Sequence, residues 1–413
     1  MAVPFEFTVE GVKTASSGTV DPWVAFRESG EPYRSLLKHN PWMRVPRAEE
    51  SLEWGKGWYY DTTVARKHPY WHDKGLPTTT KDLHRLRHDL LTWGFCLIEE
   101  GLSRAQLERL RSRVTDQAAA ERKLGIAHLS PAQQHVWALV NKGDEFLGYF
   151  EMHPDAVQSG PLIEQLHDEL LGQGWNHLSF IANISFPGCH PQGLHQDQGF
   201  LAPILPAEGP VLVNTIYVLQ EVNEINGGTL LIPGSHRRNG LNGEYYGPLP
   251  PCINLEAPAG TVLLMDGRVF HGGAVNRSDR LRYIITNSVV KNWIRQQENF
   301  ALTISPDVLA KLSEKALMRC GLQATSTRGM VEGYGYTGSG RAGDPNGAIR
   351  FVRELIDRRE YQYVRALALN DVENLRAEDF GLGRIQQHHE THRGPRYQDL
   401  VARCEDRPEQ EQG

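Results

Sequence analysis

Between residues 178 and 290, proline and glycine cut the chain into five short apolar runs, and that cutting limits what it can fold into. The runs cover 178–186, 211–219, 229–232, 261–265 and 283–290, with Pro187-Gly188, Gly209-Pro210 and Pro258 among the breaks. Runs this short, bounded by turn residues, read as strands rather than helices. Several in succession predict an antiparallel sandwich or barrel.

Directly after the first run comes Gly193-Leu194-His195-Gln196-Asp197-Gln198-Gly199-Phe200. On an extended backbone residues i and i+2 share a face, so His195 and Asp197 can converge on one point. An imidazole and a carboxylate so placed make two-thirds of a 2-His-1-carboxylate facial triad, which leaves three open positions on a non-haem Fe(II). Taken alone the pair is an ordinary solvated loop. A second segment changes its weight: Asp266-Gly267-Arg268-Val269-Phe270-His271, then Asn276, Ser278, Arg280 and Arg282. His271 by itself would be a core histidine beside Phe270. Arg280 and Arg282, two apart, would share a strand face, and spacing does not separate them.

The two segments, joined by Gly227-Gly228-Thr229 through Pro233-Gly234-Ser235-His236, resemble the phytanoyl-CoA hydroxylase family of Fe(II)/2-oxoglutarate dioxygenases, over roughly residues 80 to 295. The shared features include the Asn-x-Ser after the distal histidine and an arginine eleven positions beyond it (282 − 271). The resemblance implies a mainly β fold with flanking helices, built on a double-stranded β-helix of the jelly-roll, cupin-like kind. It implies Fe(II) held by His195, Asp197 and His271, with 2-oxoglutarate and O2 taking the remaining positions. By the family offset Arg282 holds the far carboxylate of 2-oxoglutarate, a task suited to a planar guanidinium that stays charged in a pocket. Thr229 matches a position facing the co-substrate, and Gln192 is placed to hydrogen-bond its other carboxylate or a ligand. Halogenating relatives carry alanine or glycine where the carboxylate stands; Asp197 therefore predicts an oxygenase or desaturase. Pro-Gly-Ser-His236 is expected in a supporting or entrance role, and Asn276 as a cap on the turn after His271. Two other classes fit parts of the pattern. A jelly-roll zinc hydrolase could use the same triad, and a catalytically silent binding protein could keep the fold.

The rest of the chain supplies context. Residues 1–78 lack a clean period but hold many aromatics, Trp71 among them, so they are expected to be ordered by packing. They form either an arm wrapping the core or a partner in a homodimer, or a lid over the substrate pocket. Residues 79–298 make the dioxygenase domain. They open with a helix over 81–93 whose buried side is Leu83, Leu86, Leu90 and Leu91, a strand to Ile98, and a helix begun by a Ser103–Gln106 capping box. A further helix is expected over 161–171. Residues 299–413 form a helical extension, with one helix from Ser305 to Gly321 and another over 348–369. Gly333 to Gly338 spells GxGxxG but has no strand before it and is rejected as a dinucleotide site. His388, His389 and His392 read as solvated surface. A formal charge of −6 without a Lys/Arg block argues against nucleic acid. Five scattered cysteines argue against a disulfide framework or thiolate zinc site. The first ten residues lack a secretory pattern and no apolar stretch nears about 20 residues, so a cytoplasmic location without membrane association is expected. The substrate is expected to be a medium-sized organic metabolite, of the kind met in secondary metabolism.

Overall fold

In a computed structural model of the chain, the described residues are 43–44, 59–60, 71–130, 132–189, 191–192, 195–198, 209–237, 252–322, 368–369, 372–376 and 396–404. Two short strands, β1 (Met43–Arg44) and β2 (Tyr59–Tyr60), pair antiparallel with each other. The main body begins with α1 (Leu83–Trp93), β3 (Phe95–Ile98) and α2 (Arg104–Lys123). A hairpin of β4 (His128–Leu129) and β5 (Gln134–Val136) follows, then α3 (Gly160–Leu171). The strands β6 (Asn176–Ser185), β7 (Leu212–Val218), β8 (Thr229–Leu231), β9 (Ile253–Asn254), β10 (Val262–Asp266), β11 (His271–Gly273) and β12 (Arg282–Val290) complete two sheets. Short helices α4 (Phe300–Thr303), α5 (Pro306–Lys311), α6 (Glu314–Arg319) and α7 (Arg396–Arg403) close the chain.

Seven strands form the larger sheet in the order β3-β10-β7-β12-β6-β5-β4, and three form the smaller, β11-β8-β9. Every pairing is antiparallel. All five expected strands are present within one or two residues of their bounds. The four short ones at β4, β5, β9 and β11 carry too few residues to show a period of two.

Alternation along the strands explains the layers. On one face of the larger sheet Phe180, Ala182, Val213, Tyr217, Leu264 and Ile285 pack under Leu86 of α1, Leu110 and Val114 of α2, and Ile163 of α3. On the other, Leu97, Ile216, Leu263 and Met265 meet Leu231, Ile253 and Leu255 of the smaller sheet side. The two sheets thus face each other across an apolar layer, as in a jelly roll. Trp71 joins this layer, its ring 6.0 Å from Trp93. It packs on the core, whereas the other N-terminal aromatics lie outside residues whose side chains are described.

The helix signals hold at their starts. Asp82 caps α1 through the His84 amide, and Ser103 and Gln106 form both bonds of the capping box on α2. Gly94 ends α1 at φ 81°, where an added Cβ would lie 2.5 Å from Val269 Cγ2. Two expectations change. Leu91 is 63% exposed, because Leu83, Leu86 and Leu90 already complete the stripe that faces the sheet. The single helix after Ser305 is two, since Leu312 turns extended and Ser313 caps a new start through Ala316 N. The helix expected over 348–369, the glycine-rich loop and the three C-terminal histidines lie outside the described residues, apart from 368 and 369. Among the described residues no helix is long and apolar enough to cross a membrane.

Candidate active site

His271 begins β11, and His195 pairs with it across an isolated antiparallel bridge. Each backbone N–H donates to the other's carbonyl at 2.9 Å. That bridge, formed by residues 76 positions apart (271 − 195), puts the two imidazole rings 4.4 Å apart between centroids. Asp197 stands in a helical turn pinned on both sides. Gln198 N donates to Gly267 O at 2.9 Å, and Gln198 Oε1 accepts from Val211 N at 2.9 Å. Gln196 Nε2 donates to the carbonyl of Arg268, whose guanidinium is itself fixed on Asp266. The turn between β10 and β11 therefore orients the His-x-Asp segment.

The result is one cluster. His195 Nε2 lies 3.4 Å from Asp197 Oδ1 and His271 Nε2 lies 3.4 Å from Asp197 Oδ2. The donor atoms of the three residues all fall within 4.8 Å of one another, and this is the one such group among the described residues. Its neighbours hold the donors ready. His271 Nδ1 lies 3.0 Å from Val269 O, a partner for an Nδ1 proton that leaves Nε2 directed into the cluster. Asn214 Nδ2 donates to Asp197 Oδ2 at 2.6 Å, and Ser288 Oγ donates to Asn214 Oδ1 at 2.6 Å. Burial opposes ionisation of Asp197, but His271 and His195 outweigh it and hold the carboxyl well below its usual range.

Adjacent donors on a metal with bonds of about 2.1 Å are about 3.0 Å apart on an octahedron and about 3.4 Å on a tetrahedron. The spacing therefore suits a divalent ion and does not choose between the two geometries. Arg282 lines the same space as the cluster. It is fully buried on β12, its Nη2 donating to Ser185 Oγ and Gly227 O at 2.8 Å each. Its Nε and Nη1 have no partner among the described residues. Burial pulls its pKa down to about 10, so it stays a cation at neutral pH. A buried guanidinium with two idle donors calls for an anion. Arg280, by contrast, is exposed in the turn before β12, so the two arginines do not share a strand face.

Arg282 and the triad open onto one cavity of about 560 Å³ between the sheets. Thr229 and Gln192 line it as well. Thr229 lies opposite Gly273 in the β8–β11 pairing. Gln192 Oε1 accepts from Gly273 N at 2.8 Å, and a Cβ on Gly273 would stand 3.0 Å from that oxygen. The Gln192 oxygen thus braces β11 two residues from His271. Asn276 caps its turn through Ser278 N at 3.0 Å and also reaches Ser185 O, beside the Arg282 anchor. His236 departs from its expected place. It is buried against Leu91 O and Gly94, away from the cavity, and burial lowers its pKa to about 4. Ser235 does the supporting instead, accepting Phe270 N at 2.9 Å next to His271.

Sequence reasoning missed Asn214 and Ser288, whose one signal was a polar residue inside an apolar run. It also missed the hairpin β4–β5, where alternate residues His128, Gln133, His135 and Trp137 form the far wall of the cavity.

Residues 92–284 match the phytanoyl-CoA dioxygenase (PhyH) family model, a span that holds His195, Asp197, His271 and Arg282. Over that span the chain is similar to the phytanoyl-CoA dioxygenase family. Curated proteins similar to this chain include fungal dioxygenases. Dioxygenase aneA of Aspergillus aculeatus is 32% identical over 153 residues, covering 35% of this chain and 51% of the relative. Dioxygenase FUM3 of Gibberella moniliformis is 32% identical over 138 residues, 32% of this chain and 44% of the relative. The chain thus spans about half the length of these curated relatives. Among solved structures, the non-heme alpha ketoglutarate dependent carbocyclase SnoK from nogalamycin biosynthesis matches with a TM-score of 0.41 at 19% identity, covering 58% of this chain and 94% of SnoK.

Proposed function

We propose that the chain is an Fe(II)/2-oxoglutarate-dependent dioxygenase that oxidises a C–H bond of a medium-sized secondary metabolite, converting 2-oxoglutarate and O2 to succinate and CO2. The observation that carries this reading is that a two-histidine, one-carboxylate cluster and a buried guanidinium with idle donors face the same cavity. A hydrolase would have a use for the first but none for the second.

In this reading His195, Asp197 and His271 hold Fe(II), which supplies the coupling of O2 reduction to oxidative decarboxylation of 2-oxoglutarate. The remaining work falls to the chain. Val269 O is the partner for a His271 proton on Nδ1. Asn214 holds Asp197 Oδ2, so Oδ1 stays turned toward His195. Arg282 receives the far carboxylate of 2-oxoglutarate in a site where water competes poorly. Thr229 and Gln192 line the space between anchor and metal. The sandwich of sheets shields the reacting centre from solvent. The names of the fungal relatives support the same activity.

The test is direct. Purified protein given Fe(II) and 2-oxoglutarate in air should form succinate slowly without any prime substrate, and chelation should abolish it. Zinc should inhibit. Zinc-supported turnover of an ester or amide with no oxygen uptake would replace this reading with the hydrolase, and metal binding with no succinate would favour a silent binding protein.

A further inference from the structure

The hairpin wall across the cavity has no part in holding iron or 2-oxoglutarate, yet it is built as firmly as the site itself. Along β5, Gln134 and Val136 turn inward while Gln133, His135 and Trp137 turn to the cavity, joined by His128 from β4. Three rings lie side by side there. His135 and Trp137 are 5.8 Å apart at 30°, and His128 and His135 are 5.3 Å apart at 36°. Trp137 Nε1 donates to His128 Nδ1 at 3.0 Å, so the indole spends its one donor within the wall and presents a ring face. Ala138, next in the chain, is held in the left-handed region at φ 56°. Its N–H donates at 2.8 Å to Glu298, a buried carboxylate that also accepts Phe180 N at 2.6 Å. A strained residue clamped this way fixes where Trp137 stands.

Beside the rings lies an unmet polar atom. Asn183 pairs with His135 across β5 and β6, is 8% exposed, and lines the cavity. Its Nδ2 donates to Thr286 Oγ1 at 3.0 Å, while its Oδ1 is buried with no partner among the described residues. Such an acceptor is costly unless a ligand meets it. Charge narrows the ligand further. Among the described residues lining the cavity, Arg282 is the one guanidinium or ammonium and Asp197 the one carboxylate. Both have tasks at the metal and co-substrate. Among the described residues lining the cavity, none is left to match the phosphates of an acyl-CoA or the paired charges of a free amino acid.

Resting on the dioxygenase reading, we propose that Trp137, His135 and His128 form a stacking platform for an uncharged ring-bearing substrate whose hydroxyl donates to Asn183 Oδ1. Flat rings suit this surface because aromatic faces stack with an offset and keep favourable contact over a wide area. The hydroxyl sets which edge of the ring points toward the metal.

The test uses full-length protein loaded under nitrogen with Fe(II) and 2-oxoglutarate, titrated calorimetrically with 2-naphthol and with 2-methoxynaphthalene. The methyl ether keeps the rings and loses the donor, so 2-naphthol should bind at least tenfold tighter. Trp137→Leu should weaken both probes tenfold or more. Asn183→Leu should bring the ratio of the two probes to within twofold of one, with Asn183→Ser as a second variant should the leucine not fold. A separate titration of 2-oxoglutarate should stay within threefold of wild type in each variant. Wild-type protein that binds 2-oxoglutarate yet neither probe, or both probes equally, overturns the proposal. So does loss of 2-oxoglutarate affinity in Asn183→Leu, which would put Asn183 in the co-substrate site. Wild-type protein that takes up neither Fe(II) nor 2-oxoglutarate refutes the dioxygenase reading itself, and the platform with it.

Discussion

Replacing Arg282 with methionine separates the cost of keeping a buried cation from its use. In the free protein the guanidinium is fully buried, with two hydrogen bonds from Nη2 and none from Nε or Nη1 among the described residues. Burial lowers its pKa from 12.5 to about 10, which corresponds to a cost of ~3 kcal/mol for holding the charge there. A carboxylate arriving from 2-oxoglutarate would offset that cost, because it meets the idle donors inside a low-dielectric pocket. Removing one partner of such a pair costs roughly 2–5 kcal/mol. At ~1.4 kcal/mol per tenfold, the 2-oxoglutarate Kd should rise by about 30-fold at least. The free protein should not melt lower to match, since methionine replaces an under-partnered charge with an apolar chain of similar length. Anaerobic calorimetry of 2-oxoglutarate into Fe(II)-loaded protein measures the first effect, and thermal melting without ligand the second. Arg280→Ala, in an exposed turn, should change Kd less than twofold. If Arg282→Met shifts Kd less than threefold, or Arg280→Ala shifts it as much, the buried guanidinium is not the anchor.

Three further expectations follow from other parts of the site. Asn214→Ala removes the amide that holds Asp197 Oδ2 at 2.6 Å and should weaken Fe(II) binding about 10- to 100-fold, read by metal titration; an unchanged Kd would make the contact incidental. Asp197 should occupy the coordination position that halogenating relatives leave open, so wild-type turnover in high bromide should give no brominated product by mass spectrometry, and the bromine isotope doublet would overturn that role. Burial raises the Glu298 pKa from 4.5 to about 7, against the backbone donors Phe180 N and Ala138 N. The folded state therefore binds the proton more tightly than the unfolded one, and stability should fall by ~3 kcal/mol as pH rises from about 4.5 through 7. Urea melts between pH 5 and 8 should show a shallower fall in Glu298→Gln than in wild type, and equal slopes would contradict the assignment.

What the sequence determined by itself was local. Residues two apart on an extended chain share a face whatever surrounds them, so His195 and Asp197 could be paired before any fold was known. Short apolar runs between prolines and glycines could be read as strands, and the Ser103–Gln106 capping box places its helix start to the residue. Arg282 was reachable through the family offset, but its rival Arg280 fell away only when β12 began at residue 282 and left the other in a turn. The tertiary structure decided everything that depends on strands meeting across long separations. The bridge between His195 and His271 closes the metal cluster. The Ser288–Asn214–Asp197 relay needs β12 beside β7. The ring wall needs the hairpin β4–β5 on the edge of β6. Strands of two or three residues carry no period of their own. Their place comes from sheet hydrogen bonds, and those depend on partners far along the chain. For the same reason His236, next to the right residues in sequence, packs under α1, because β8 ends one turn before it and the chain leaves the cavity there.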